Sequence, residues 1–432
     1  MSDPPSAVKR IVIAGGGFSG GYCAAALEPL QRRRPDVEVV LIDRQNYFIF
    51  FPLLVEAGTG SLEPRHAVVP IRRFIKRGRF LMAEIVGADL ARNLLFYRLS
   101  GDEPAGRREL PYDHLVVALG SVTRLPNVPG LAEHGFQMKS MADAVGLRDR
   151  AIQLLERASA EPDPAARRPL LNWVVVGANF TGVEVAGEFQ EFLRRAARQY
   201  PNLSPRDCNV TLIERENRIL SALDDDLADY AAAQMRKRAI GVELGRTVTR
   251  IDAASAQLDD GRTLETATVV WCAGIAPNPA VAPMGLPVDP RGYILCEPDQ
   301  RVKGFDNVWA VGDGAVNTAP DGSVYPPTAQ HAVQEGRHLA SNLAAVLEGG
   351  QTTLCVARTQ GSLAALGCRT GVAKVMGMKI SGFWAWWLWR SVYLMKMPGW
   401  GRRIRIAMDW TADLLFGKDY VQLGLHERRR DR

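Results

Sequence analysis

The chain of 432 residues has no CxxC pair and no cysteine spacing of the kind that holds zinc. Its six cysteines (Cys23, Cys208, Cys272, Cys296, Cys355 and Cys368) are scattered, which fits reduced, structural thiols rather than a disulfide framework, and no metal site is expected. Also missing is any apolar run approaching the roughly 18 residues of a membrane-spanning helix, so a spanning protein is disfavoured and peripheral attachment stays open. A secretory signal over Ile11 to Leu27 is disfavoured too, because five glycines interrupt it and no cleavage site follows. Charge of one sign is not in large excess: the net +6 argues only weakly for an anionic partner. What the chain does have is length, and with 47% apolar residues it exceeds what one ordinary domain needs.

The first clear unit runs from the apolar strand Arg10–Ala14 into Gly15, Gly16, Gly17, Phe18, Ser19 and Gly20, then through an Ala-rich helical segment from Gly21 to Leu30. A second apolar strand, Val37–Ile42, ends at Asp43 and Arg44. This is a complete βαβ unit with a dinucleotide fingerprint. Gly15 permits the tight turn, Gly17 lets backbone N–H groups approach a pyrophosphate, and Gly20 lets the helix pack closely on the strand. The helix N-terminus then faces the phosphates. Asp43 stands where a carboxylate accepts hydrogen bonds from a ribose diol.

The pattern recurs at Trp173–Val176 with Gly177, Ala178, Asn179, Phe180, Thr181 and Gly182, a helix from Val183 to about Arg198, and a strand Val210–Glu214. Asn179 replaces the middle glycine, where its Cβ crowds a pyrophosphate. Asn tolerates left-handed backbone angles, and its amide is a donor for a phosphate, so the site is expected to be altered rather than abolished. Glu214 favours a ribose diol over a 2′-phosphate, hence NADH over NADPH, and Arg215 beside it works against that preference. Three further segments are strands ending in small residues: Tyr112–Ser121, which holds Ala118 and Gly120, Val269–Gly274, which holds Ala273, and Val308–Asp313, which holds Gly312. Small residues let a planar ligand lie against the backbone, and Asp313 suits a polyhydroxyl chain such as ribityl. Two dinucleotide units in one chain suit a hydride passed from one cofactor to another.

With these motifs in hand, the chain resembles the two-dinucleotide-binding flavoproteins, and within them the type II NADH dehydrogenases, essentially end to end. The more particular matches are Phe51–Gly60 with Leu62-Glu63-Pro64, Thr181–Glu184, Ala329–Gly336 and Gly361–Gly367. The resemblance implies FAD in the first unit, NADH as co-substrate in the second, and hydride transfer to the flavin followed by reduction of a membrane quinone without proton pumping. It also implies that Ala329 borders the flavin, that Gln330 and Gln334 face the quinone, and that Glu184 lies near flavin and nicotinamide. A glutamine donates to a quinone carbonyl without adding charge. The plainer alternatives are a capping or surface role for the glutamines and a helix-dipole role for Glu184. Thr353–Val356 departs from the family's aromatic-rich approach to the Gly361 segment.

The C-terminal region holds Trp384, Trp386, Trp387, Trp389, Trp400 and Trp410 among Arg390, Lys396, Arg402, Arg403 and Arg405. Indoles and cations together suit a helix lying in a bilayer interface, here over residues 383–416. At helical spacing Trp384, Trp387, Leu388, Ser391, Val392 and Met395 share one face. A core helix or a homodimer interface is the alternative, and the resemblance itself implies a dimer. Stacking on single-stranded nucleic acid is disfavoured, and no nucleic-acid partner is expected.

The expected architecture is α/β, with two Rossmann-like dinucleotide-binding domains for FAD and NADH plus a C-terminal amphipathic helical membrane-associating region. The expected limits are 1–168 for the first part of the FAD domain, 169–286 for the NADH domain, 287–375 for the second part of the FAD domain and 376–432 for the C-terminal helices. The expected location is the cytoplasmic face of the bacterial inner membrane, peripherally bound. A sulfide:quinone oxidoreductase is the nearest rival, yet it needs a redox-active cysteine pair and no cysteine lies between Ala24 and Asp207. A soluble-acceptor reductase and a membrane-attached redox sensor are the others.

Overall fold

The computed structural model describes residues 8–103, 106–367, 369–422 and 424, so Cys368 lies outside the described residues. Contacts divide the chain into two compact units: Met1–Ile49 with Val68–Val122 and Ile275–Thr359, and Phe50–Ala67 with Thr123–Gly274 and Gln360–Arg432. The expected limits fell at 168, 286 and 375; these units change over at Val122, Gly274 and Thr359. The Met141–Ala160 helix groups with the second unit, where Ala144 packs within 3.4 Å of the place a Cβ on Gly58 would occupy. Six helices bear on the sites: α1 Phe18–Ala26, α2 Leu54–Gly58, α3 Phe180–Ala197, α4 Ala329–Leu347, α5 Phe383–Lys396 and α6 Trp400–Phe416. The helix expected to run unbroken to Leu30 instead stops at Ala26 and restarts at Glu28, because Pro29 suits only a first helical turn.

The first unit is built on a seven-stranded sheet. Val308–Ala310, His114–Val117, Lys9–Ala14, Val37–Asp43 and Arg79–Asp89 run parallel, and Leu94–Leu99 and Arg108–Pro111 add antiparallel strands at the edge. Its central strands are buried on both faces, as their unbroken Val and Ile runs require, and Trp309 and Leu339 close one side of the core. In the second unit Gly135–Phe136, Thr268–Trp271, Asn172–Val176, Asn209–Glu214 and Gly241–Leu244 form a parallel five-stranded sheet. The same unit carries a three-stranded antiparallel sheet, Gly361–Ala365, Gly371–Val375 and Met378–Gly382, that leads into α5.

In each parallel sheet the strand before the glycine loop has its sequence successor on one side and a later strand on the other. Lys9–Ala14 lies between Val37–Asp43 and His114–Val117, and Asn172–Val176 lies between Asn209–Glu214 and Thr268–Trp271. Such reversal points open a crevice at the carboxyl ends of the strands, where α/β sheets bind their ligands.

Candidate functional site

The glycine loops stand at those reversal points and repeat each other's geometry. Gly15 has φ +106 and a Cβ on it would come 2.3 Å from the Ala118 carbonyl oxygen; Gly177 has φ +96 and a Cβ would come 2.7 Å from Ala273 Cα. A Cβ on Gly20 would strike the Gly15 carbonyl oxygen, and one on Gly182 the Gly177 carbonyl oxygen. Thus the first glycine of each loop is needed for backbone angle and close approach together, and the third for helix against turn. Ala118 and Ala273, singled out as small strand ends, are the residues each turn leans on.

At the middle position Gly17 and Asn179 have nearly the same backbone, φ −73 with ψ −157 and φ −73 with ψ −176. Both are extended, so left-handed tolerance is not what admits the asparagine. Nor is its amide directed to a phosphate: Asn179 Nδ2 donates to the Cys272 carbonyl at 2.8 Å, and its Oδ1 accepts from Gly182 N at 3.0 Å. The side chain serves α3 as an N-cap. The first loop is different. A Cβ on Gly17 would meet nothing within 4 Å, and among the described residues no side chain caps α1. A helix N-terminus kept open in this way fits a pyrophosphate.

The two carboxylates at the second strands match as well. Asp43 Oδ2 accepts from Gly16 N at 2.7 Å, and Glu214 Oε2 accepts from Ala178 N at 2.6 Å. Their other oxygens accept from Gln45 N and Glu216 N, which fixes each carboxylate at its loop. Burial pushes the Asp43 carboxyl up. Arg44 is exposed.

The first unit also gathers Gly120, Gly312 and Asp313. Ser121 Oγ donates to Asp313 Oδ2 at 3.0 Å, Gly312 has φ +78, and Gly120 has φ +65 with open space at its Cβ position. The Gly312 turn is held by Glu335 of α4, a residue the sequence reading passed over. Its buried Oε2 accepts from Gly312 N at 2.7 Å and from Asn317 Nδ2 at 3.0 Å. Gly336 beside it lets α4 approach α1, since a Cβ there would come 2.1 Å from the Ser19 carbonyl oxygen. Ala329 and Gln330 occupy the first turn of α4, half-buried.

Gln334 departs from its expected task. Its Nε2 donates to the Gln330 carbonyl at 3.0 Å and the Arg358 carbonyl at 2.9 Å, while its Oε1 accepts from Arg358 N at 3.0 Å. Both amide protons are committed to backbone, so Gln334 fastens the 358 segment to α4 and has none for a quinone carbonyl. His331 between the glutamines is buried, with Nδ1 2.7 Å from Thr328 Oγ1 and Nε2 3.3 Å from Thr359 Oγ1. Burial holds its pKa down.

In the second unit, Phe180 and Thr181 open α3 and Glu184 follows one turn later. Glu184 Oε1 accepts from Ala365 N at 3.2 Å and from the Trp389 indole at 3.1 Å. Burial pushes its carboxyl up to about 8, against the pull of these donors. Gly274, three residues past the Thr268–Trp271 strand, has φ +74.

Of the six C-terminal tryptophans Trp386 is half-buried, and the other five divide into two sets. Trp389 and Trp410 are buried, whereas Trp384, Trp387 and Trp400 are exposed together with Phe383, Met395, Ile404, Met408, Leu414, Leu415 and Phe416. Of the cations expected at the surface, Arg390 is withdrawn. It pairs at 3.0 Å with the buried Glu56 of α2, because a carboxylate withdrawn from water needs an opposite charge beside it. Among the described residues no helix is long and apolar enough to cross a membrane. Cys23, Cys208, Cys272, Cys296 and Cys355 are buried free thiols, and burial pushes Cys23, Cys208, Cys272 and Cys355 up to about 12. Such thiols stay protonated and unreactive.

Paired glycine loops at two sheet reversals, each with its own carboxylate, define a protein of the dinucleotide-binding class. Residues 9–336 match the pyridine nucleotide-disulphide oxidoreductase family, and residues 359–419 match the NDH2 C-terminal domain. The chain belongs to that oxidoreductase family, and within it to the type II NADH:quinone oxidoreductases. It is 30% identical over 426 residues to the type II NADH:quinone oxidoreductase of Mycobacterium tuberculosis, covering 95% of this chain and 89% of that one. To the demethylphylloquinone reductase of Synechocystis it is 30% identical, covering 93% and 95%. Among solved structures, NDH2 from Plasmodium falciparum in complex with NADH superposes with a TM-score of 0.88 at 20% identity, covering 96% of this chain and all of the other. The sulfide:quinone oxidoreductase of Aquifex aeolicus shares the fold, with a TM-score of 0.68 at 17% identity, covering 95% and 96%.

Proposed function

We propose that this protein is an FAD-dependent NADH:quinone oxidoreductase, turning NADH, a proton and a quinone into NAD and a quinol without proton translocation. The observation that carries the reading is the repeated glycine-loop geometry, one loop with an open helix N-terminus and one already capped by its own asparagine. The open loop, with Gly15, Gly17, Phe18, Ser19, Gly20 and Asp43, is the one we assign to FAD, with Ala118, Gly120, Gly312, Asp313 and Ala329 along the same ligand. NADH is assigned to Gly177, Asn179, Phe180, Thr181, Gly182, Glu214, Ala273 and Gly274. Its pyrophosphate takes backbone donors rather than the Asn179 amide. When bound, the flavin takes up two electrons as hydride and yields them in a separate half-reaction, which lets a water-soluble donor and a lipid-soluble acceptor react in turn.

The chain's own part is binding, orientation and proton handling. Glu184 is the candidate to hold and release a proton near neutral pH, since burial pushes it to about 8. Gln330 remains the candidate for quinone orientation. Gln334 acts behind it, by holding the Arg358 backbone. The exposed apolar side chains of α5 and α6, beside the exposed Arg405, support docking on a bilayer surface where the quinone is dissolved. A peripheral position at the cytoplasmic face of a bacterial inner membrane, as a homodimer, follows from the family resemblance.

The test is anaerobic mixing with NADH followed by a short-chain quinone while flavin absorbance is monitored. Bleaching by NADH and recovery on quinone is the expected result. Bound flavin that NADH does not bleach would sink the reading.

A further inference from the structure

Three buried carboxylates of the second unit are each answered by a donor from the C-terminal segment. Glu184 receives the Trp389 indole, Glu188 stands 4.0 Å from Lys418 Nζ, and Glu56 receives both Arg390 and Trp410. The Glu56 arrangement is the most elaborate. Its Oε1 accepts from Arg390 Nε at 3.3 Å and Nη2 at 3.0 Å, and its Oε2 accepts from Trp410 Nε1 at 2.7 Å. The guanidinium lies 4.5 Å from the Trp386 ring centre and 4.6 Å from that of Trp410, so it is stacked between α5 and α6 while it binds α2. Arg390 immediately follows Trp389 in the chain. Whatever fixes the guanidinium therefore fixes where the neighbouring indole sits.

We propose that Glu56 is a positioning residue for Glu184: through Arg390 and Trp410 it pins α5 so that the Trp389 indole is seated on the Glu184 carboxylate. The inference rests on the reading of Glu184 as a proton-handling group, and goes beyond it in naming what sets that group's environment. An indole N–H donates only to the ionised or acceptor oxygen, so its presence favours the carboxylate form and its loss favours the acid. The other groups that face this region are Glu188 from α3, Tyr393 and Arg390 from α5, Glu56 from α2 and the Ala365 N–H, with Lys418 against Glu188. Repulsion from Glu56 works the other way, raising Glu184 directly. The two routes are thus separable by sign. Neutralising Glu56 lowers the Glu184 titration if only its charge matters, and raises it if the seating of Trp389 is lost.

The test uses the full-length flavoprotein with four substitutions around Glu184 and a fifth, Glu184→Gln, as reference. Trp389→Phe removes the donor itself. Arg390→Lys keeps the charge but loses the fork and the stacking. Trp410→Phe removes the indole hydrogen bond that fixes Glu56 Oε2 and so loosens the carboxylate that Arg390 binds, and Glu56→Gln supplies the sign. Glu184 protonation is read by difference infrared spectroscopy, with the band assigned by Glu184→Gln, beside the pH profile of quinone reduction and a thermal melt. The expected result is an upward shift of about one unit in Trp389→Phe, the loss of one hydrogen bond to a charged group. Shifts in the same direction are expected in Arg390→Lys, Trp410→Phe and Glu56→Gln. A folded Arg390→Lys or Trp410→Phe protein whose Glu184 band titrates as in the wild type overturns the proposal, as does a downward shift in Glu56→Gln. If the infrared shifts appear but the quinone pH profile ignores Glu184→Gln, positioning stands and the proton-handling reading falls.

Discussion

At the residue scale, position 179 and position 17 show how one backbone serves two chemistries. Both are extended N-caps, but Asn179 closes its own helix end while Gly17 leaves it open. Replacing Asn179 by Ala is therefore expected to cost about 1 kcal/mol of stability in urea unfolding, and by Gly only a few tenths. The Gly form should keep the KM for NADH within about threefold, under 1 kcal/mol, because the backbone path is unchanged. Gly15→Ala is a harsher change. Positive φ and a carbonyl oxygen 2.3 Å from the new Cβ should cost at least about 1–3 kcal/mol and leave the purified protein short of flavin, as its visible absorbance will report. Glu214→Ala should raise the KM for NADH about tenfold and narrow the preference over NADPH, since a hydrogen bond donated to a charged group is lost on one side only. Steady-state kinetics with both nucleotides decide this.

At the scale of elements, the two C-terminal helices do two jobs with one composition. Their buried tryptophans, Trp389 and Trp410, hand N–H groups to carboxylates of the second unit, and His66 Nδ1 meets Asp409 of α6 at 2.5 Å. Their exposed ones have no such duty. Trp384→Ala or Trp400→Ala should weaken binding to anionic vesicles about ten- to hundredfold each, in line with roughly 1.5–3 kcal/mol for a large apolar side chain withdrawn from water. NADH-dependent reduction of a soluble acceptor should be unaffected, and flotation with liposomes beside that assay distinguishes docking from damage. Periodicity places Trp384, Trp387, Leu388, Ser391, Val392 and Met395 on one face; Trp384, Trp387 and Met395 are exposed there, and Leu388, Ser391 and Val392 are half-buried. It was silent about Arg390, because a helical pattern in sequence does not reveal which cation has a buried carboxylate waiting in another element.

At the scale of the whole molecule, pH couples to folding through groups whose burial is complete only in the native state. Glu184 and Glu188 are raised from 4.5 to about 8 and about 7. The folded chain then holds protons that the unfolded chain has released, so their contribution is present below pH 4.5 and lost as pH rises to about 8. His114 and His331 oppose this, being lowered from 6.5, but their effect is complete once pH exceeds that value. Between pH 6.5 and about 8 the melting temperature should fall, and Glu184→Gln should flatten the fall. A melt series in buffers of equal ionic strength measures it.

The βαβ units, their glycines and the terminal carboxylates Asp43 and Glu214 were legible along the chain, because a dinucleotide turn is local: a few consecutive residues set the backbone, and the hydrophobic period marks strand and helix. The break at Pro29 is equally local, since a proline suits only a first helical turn. Nothing local distinguished Gln334, whose amide is claimed by a backbone 24 residues away, or Glu335, Glu56 and His331, whose partners lie in other elements. The linear sequence thus determined where the chain turns and which backbone can approach a phosphate, through sterics that act over a few bonds. Only the tertiary structure decided which polar side chains are spent on holding the fold, because a buried donor or acceptor must find its partner wherever packing has brought one.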